Sequence, residues 1–228
     1  MKRCLVSSSF VSLDDIRSNA TRIFVVICWV HVPVAIAVAS IARNAVPIPA
    51  LVALGVAVVA TIAAYALRDG FALRSIIAIC LTFGPIVFVY AGRGHTGGLS
   101  GTEDWQIDYH MYFFAVFAML VAYIDWRPIA IAAALTAGHH LLLDLVVPAN
   151  VFPEEGLDRV ALHALAVVAE CSVLFWIAYR VNALFKRVED ANALVELTAA
   201  QTAEALTEQL AENAALRRRL AAVTPIAS

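Results

Sequence analysis

Four histidines, His110, His139, His140 and His163, fall inside apolar stretches long enough to cross a bilayer, and Asp108, Asp144 and Glu170 accompany them. An ionisable side chain at that depth is costly, so it faces a protein interior and does something there. Neutral imidazoles with a nearby carboxylate suit zinc, copper or iron. Two axial histidines from facing helices would equally hold a haem b. The chemistry these residue types point to is therefore ligation of a transition-metal ion or a haem. His110, His139, His140 and His163 are the cofactor candidates. For a bare ion the candidates are His110, His140, His163, Asp144, Asp108 and Glu170.

Composition defines the elements that must carry them. The chain has 228 residues, 62% apolar and 15% charged. A soluble domain carries roughly a quarter charged residues. The mean hydropathy is +0.81. The chain is expected to be an all-α, polytopic protein of a bacterial inner membrane, with the lipid bilayer as its first partner. Its net charge of −2 implies no nucleic-acid partner. Cys4, Cys28, Cys80 and Cys171 show no metal-type spacing and suggest no disulfide framework. The N-terminal segment lacks the apolar core of a cleaved signal peptide.

Apolar runs able to cross about 30 Å of hydrocarbon lie at 23–42, 49–67, 73–92, 105–125, 128–148 and 159–183. Lys2, Arg3, Arg17, Arg22, Arg68, Arg74, Arg127, Arg180, Lys186 and Arg187 fall on one side of the resulting six-span topology. Arg43, Arg93 and Arg159 fall on the other, with Glu103, Asp104, Glu154 and Glu155. The positive-inside rule then places both termini in the cytoplasm. The expected layout is a cytoplasmic segment at 1–22, a transmembrane domain at 23–183, a cytoplasmic helix at 184–222 and a tail at 223–228.

The 184–222 stretch is rich in Ala, Glu and Leu, without Gly or Pro, and is a strong helix former. Val188, Val195, Thr202, Gln209 and Leu216 recur every seven residues. Asn192, Ala199, Leu206, Asn213 and Leu220 follow four residues on. This weak heptad seam fits either a solvated amphipathic helix or a parallel homodimeric coiled coil. No output domain is expected after it, so a separate cytoplasmic signalling protein is a candidate partner.

A helical rise of about 1.5 Å per residue turns the topology into depth. His110 and His163 lie roughly 7 Å below the outer edge, Asp144 about 6 Å and His140 about 12 Å. Three successive helices thus deliver imidazoles to one layer. His140 and Asp144, four apart, share a face. His139 lies about 100° from His140, so it is the weaker ligand and a partner for a neighbouring helix, alongside Thr136. Asp108 and His110 diverge, which favours His110. Glu170 lies on the face of His163 but deeper, where it could accept from a ligand imidazole or pair with His31. His95, in a Gly-rich loop, is expected in solvent. Each histidine has a plainer reading as an interhelical hydrogen-bonding residue.

The pattern Asp108-x-His110-x-x-Phe113-Phe114, Asp125-Trp126-Arg127, His139-His140, Pro148, Val151-Phe152 and His163-Ala164 resembles a known six-span sensory module. That module forms the membrane end of bacterial methyl-accepting chemotaxis proteins, diguanylate cyclases and sensor kinases. Glu170 matches an acid common in its last span. The resemblance is close over about 105–180 and loose over the whole six-span layout. It implies a sensory input whose sixth span passes a signal into the cytoplasm. Two departures stand out: Asp108 where relatives often carry glutamate, and no GGDEF-type loop, kinase segment or methylated hairpin downstream.

Two other functions compete. Three histidines and an aspartate could hold zinc with an open water position, giving an intramembrane metal-dependent hydrolase with Glu170 or Asp108 as base. Alternatively, the histidines lock helices together in a scaffold. No residue is assigned a catalytic role.

Overall fold

The computed structural model describes residues 12–94, 96, 97, 103–146 and 157–223. Two compact units emerge, Met1–Asn182 and Ala183–Ser228. Among the described residues six α-helices run in chain order: α1 Leu13–Ile41, α2 Pro47–Ala66, α3 Phe71–Ala91, α4 Trp105–Leu120, α5 Trp126–Val146 and α6 Leu157–Val223. A 3-10 turn, Val121–Tyr123, extends α4. The two-residue strands Thr96–Gly97 and Glu103–Asp104 pair antiparallel before α4. Among the described residues α1, α2, α3 and the Ala161–Leu220 part of α6 are long and apolar enough to cross a membrane, and α4 is shorter.

The first helix starts ten residues before the apolar run that announces it. Ser12 accepts from the Asp15 backbone N–H at 3.1 Å, and the Asp15 carboxylate accepts from the Ser12 N–H at 3.3 Å. This reciprocal capping box satisfies amide groups that would otherwise be orphaned at the helix start. The 13–22 stretch is therefore helical and continuous with α1.

Small residues set the distance between α1 and α2. Ala53, Ala57, Ala60 and Ala63 form the buried face of α2, and Ala35 and Ala39 are fully buried on α1. Such stripes let backbones approach where lipid offers no competing hydrophobic gain. Trp29 of α1 donates to Thr61 of α2 at 2.9 Å. The most buried helix is α3, which packs on α1, α2, α4 and α5. Gly84 in α3 lies against the His31 ring of α1, where a Cβ would collide with it. His31 in turn bonds Tyr112 of α4 through Nε2 at 2.9 Å. The pairing of His31 with Glu170 allowed by depth is thus replaced by one with Tyr112.

One end of the first unit is held by charge. Buried Arg74 of α3 reaches Asp125 at 3.6 Å and Asp69 at 4.0 Å. Asp125 also accepts from the Arg127 side chain at 2.8 and 3.0 Å. Arg17 of α1 donates to the carbonyl oxygens of Tyr123 and Ile124 at 3.0 and 3.5 Å. These bonds hold Ile124 at φ 51°, a left-handed conformation that a β-branched residue adopts only under outside constraint. At the opposite end, Asn44 donates to the carbonyls of Ala91 and Arg93 at 2.9 and 2.8 Å, capping α3.

Through Val167, Cys171, Leu174 and Phe175 the sixth helix touches the core. Leu162, Leu165, Val173 and Trp176 stay exposed. In the second unit, residues 183–220 form helix with the heptad positions Val188, Val195, Leu206, Leu216 and Leu220 all exposed.

Candidate histidine centre

The site forms where α4, α5 and α6 meet in the first unit. On α4, His110, Phe113 and Phe114 share a face because they are three and four residues apart. On α5, Ala133, Ala137 and His140 do the same, and on α6 His163, Ala164 and Val167. These residues line a cavity of about 470 Å3. The alanines create the room: larger side chains at 133, 137 and 164 would fill it.

Three imidazoles enter this cavity. The ring centroids of His110 and His140 are 5.2 Å apart, those of His110 and His163 6.0 Å, and those of His140 and His163 5.9 Å. His110 and His140 are almost fully buried, and His163 is half-buried. His110 Nδ1 lies 2.8 Å from the Gln106 carbonyl oxygen, and His140 Nδ1 lies 2.9 Å from the Thr136 carbonyl oxygen. A carbonyl can only accept, so each Nδ1 carries the proton and each Nε2 presents its lone pair. That is the tautomer a metal-ligating imidazole needs.

Three Nε2 ligands on a tetrahedral ion would set their ring centroids roughly 5 Å apart. The observed 5.2–6.0 Å is at or slightly beyond that spacing. Among the described residues, however, no three His, Cys, Asp or Glu side chains stand as a ready-made ion site. The rings converge, but ion capture would require them to rotate.

The remaining candidates divide. Asp108 is exposed, two residues from His110, and does not reach the cavity. Glu170 is half-buried outside the cavity lining, and its Oε2 has no hydrogen-bond partner among the described residues. The side chain of Asp144 lies outside the described residues, as does His95. His139 does not join the other three. Its ring stands perpendicular to that of His140, at 89° and 5.2 Å, and it lines a different cavity. Phe113 packs against both rings, 5.8 Å from His139 and 5.4 Å from His140. Thr136 bonds the Ala132 carbonyl rather than His139.

Two contributors escaped sequence reasoning. The carbonyl of Gln106, one turn before His110, sets that ring's tautomer, and the Thr136 carbonyl does the same for His140. The signal was the four-residue offset to a backbone acceptor, which every helical histidine has and only a buried one uses.

No protein-family model matches the chain, and neither a curated protein nor a solved structure is detectably similar to it. The class that fold and composition define is an all-helical protein with several apolar helices of membrane-spanning length.

Proposed function

We propose that the chain is a membrane-embedded sensory input module whose centre, held by His110, His140 and His163, binds an imidazole-ligated metal. One observation carries this reading: imidazoles from three separate helices meet within 5.2–6.0 Å, two of them with Nε2 presented as a lone pair. The resemblance of 105–180 to sensory modules of chemotaxis proteins and diguanylate cyclases supports the same class. In this reading all six helices span a bacterial plasma membrane, with both termini cytoplasmic and the histidine layer near the outer face. The cluster of Arg17, Arg74 and Arg127 at the opposite end agrees with that orientation.

The centre suits a bare transition-metal ion on three imidazoles or a haem held by fewer of them, and the spectrum below separates the two. When bound, haem would supply a redox-active or gas-binding iron. Imidazoles of the centre would hold the group, and the surrounding apolar side chains would exclude water. His163 and the 183–223 segment belong to one helix, α6. A ligand that draws His163 toward α4 and α5 would therefore act on the helix that enters the second unit.

The hydrolase reading has less support. Asp108 is exposed and Glu170 does not line the cavity, so neither candidate base faces the imidazoles.

The test is an absorption spectrum with elemental analysis of protein purified in detergent from a bacterial membrane. We expect either a Soret band near one haem per chain or a stoichiometric metal without one, lost in His110→Ala and His163→Ala. The first assigns a haem and the second a bare ion. Neither haem nor metal in folded protein would end the reading.

A further inference from the structure

A cleft of about 530 Å3 opens between α1, the end of α2 and the start of α3, with Ser18, Arg22, Val25, Ala64, Asp69 and Leu73 in its wall. It lies at the level where the apolar runs stop: Arg22 directly precedes the run 23–42, and Asp69 follows the run 49–67. Both charges reach solvent. Arg22 is exposed and belongs to none of the ion pairs among the described residues. The Asp69 side chain is 25% exposed, and Arg74, its one cation among the described residues, stands 4.0 Å away and nearer to Asp125, at 3.6 Å. Opposite charges thus line one cleft without pairing with each other. Below them the wall turns apolar through Val25 and Ala64, and Ile23, Val26 and Ile62 are exposed on the same two helices.

We propose that this cleft binds the head group of an aminophospholipid of the phosphatidylethanolamine type. A ligand that satisfies both charges must carry an anion and a cation a few bonds apart, with hydrocarbon attached. The Arg22 guanidinium donates to the phosphate in a fork that matches two of its oxygens. The Asp69 carboxylate accepts from the primary ammonium, and the Ser18 hydroxyl adds a donor at the cleft wall. The acyl chains then lie along the exposed apolar side chains of α1 and α2. Two other lipids fit less well. Phosphatidylcholine has the same charges but no N–H to donate. Phosphatidylglycerol has no cation, and its phosphate is repelled by Asp69. The inference rests on α1 and α2 being membrane spans and is independent of what the histidine centre binds.

The experiment titrates the full chain in detergent with dioleoyl phosphatidylethanolamine, phosphatidylcholine and phosphatidylglycerol, and counts bound lipid by mass spectrometry of the intact complex. Helicity and elution profile report folding of each variant. Wild type should bind one equivalent of phosphatidylethanolamine about tenfold more tightly than either other lipid, the difference one charge-assisted hydrogen bond makes. Arg22→Gln should weaken binding of phosphatidylethanolamine and phosphatidylglycerol alike. Asp69→Asn should weaken only the first and so erase the preference between them. Ala64→Trp, which fills the cleft and leaves both charges, should weaken phosphatidylethanolamine binding as Arg22→Gln does. Arg180→Gln, which removes an exposed arginine outside the cleft, should bind as wild type does. Should Asp69→Asn fail to fold, Arg22→Gln and Ala64→Trp still decide. Equal binding of the three lipids by wild type, unchanged binding in folded Arg22→Gln or Ala64→Trp, or an equal loss in Arg180→Gln would each overturn the proposal.

Discussion

His110 and His140 meet as mirror arrangements on neighbouring helices: each ring bonds through Nδ1 to the carbonyl one turn back in its own helix, at 2.8 and 2.9 Å, and the centroids lie 5.2 Å apart. Two buried imidazoles are thereby held in one tautomer, and both residues line the same cavity. Interhelical hydrogen bonding would not require that matching.

Filling the cavity should separate a binding role from a structural one. Ala137→Phe inserts a ring among the imidazoles without removing any of them. Cofactor occupancy is expected to fall at least tenfold, while helicity by circular dichroism stays near wild type. Unchanged occupancy in a folded Ala137→Phe protein would place the cofactor elsewhere.

Arg74→Ala leaves buried Asp125 with Arg127 as its remaining cation within salt-bridge distance among the described residues. Breaking a buried pair by removing one partner costs about 3–5 kcal/mol. The remaining Arg127 should keep the loss near the lower figure. A melting curve in detergent reads it, and no change in midpoint would mean that the Arg74–Asp125 contact is not a stabilising one.

The same carboxylate gives a pH signature. Burial opposes the charge of Asp125, but hydrogen bonds from the Arg127 side chain and backbone, with the charges of Arg127 and Arg74, outweigh it and hold the group below its ordinary 3.8. Its charged form is thus favoured by folding. The contribution is full above the unfolded value and disappears as pH falls through the folded one. The stability gap between wild type and Asp125→Asn should therefore be constant from neutral pH down to about 5 and shrink below about 4. A gap that widens on acidification would contradict this.

At Gly84 the prediction is steric. A Cβ there would meet the His31 ring, which is also held by Tyr112 and packs edge-on to Phe88 at 5.3 Å. Gly84→Ala should cost about 1–3 kcal/mol, as overpacking does. Combining it with His31→Ala should recover much of that loss. Additive losses in the double variant would show that the two positions do not meet.

Much of this was legible along the chain. Apolar run length marked α2 to α5 to within a few residues, because the number of apolar residues in a run fixes the length of the helix that can bury them. Run length missed the start of α1 at Leu13, since the Ser12–Asp15 capping box that creates it is polar. Equal rise per residue on every helix put His110, His140 and His163 at one level of the bundle, where their rings converge. The angle between His139 and His140 likewise followed from 100° per residue.

What the chain order could not supply was the rotation of each helix about its own axis relative to its neighbours. The alanine faces of α1 and α2 and the burial of α3 against four helices decide it, and those are contacts between residues far apart in sequence. They turn His140 and His110 to one cavity and His139 to another, leave Asp108 exposed, and give His31 to Tyr112 instead of Glu170. The sequence by itself determined which residue types share a depth. The tertiary structure decided which of them share a space, because helix rotation is set by packing and not by any periodicity within one helix.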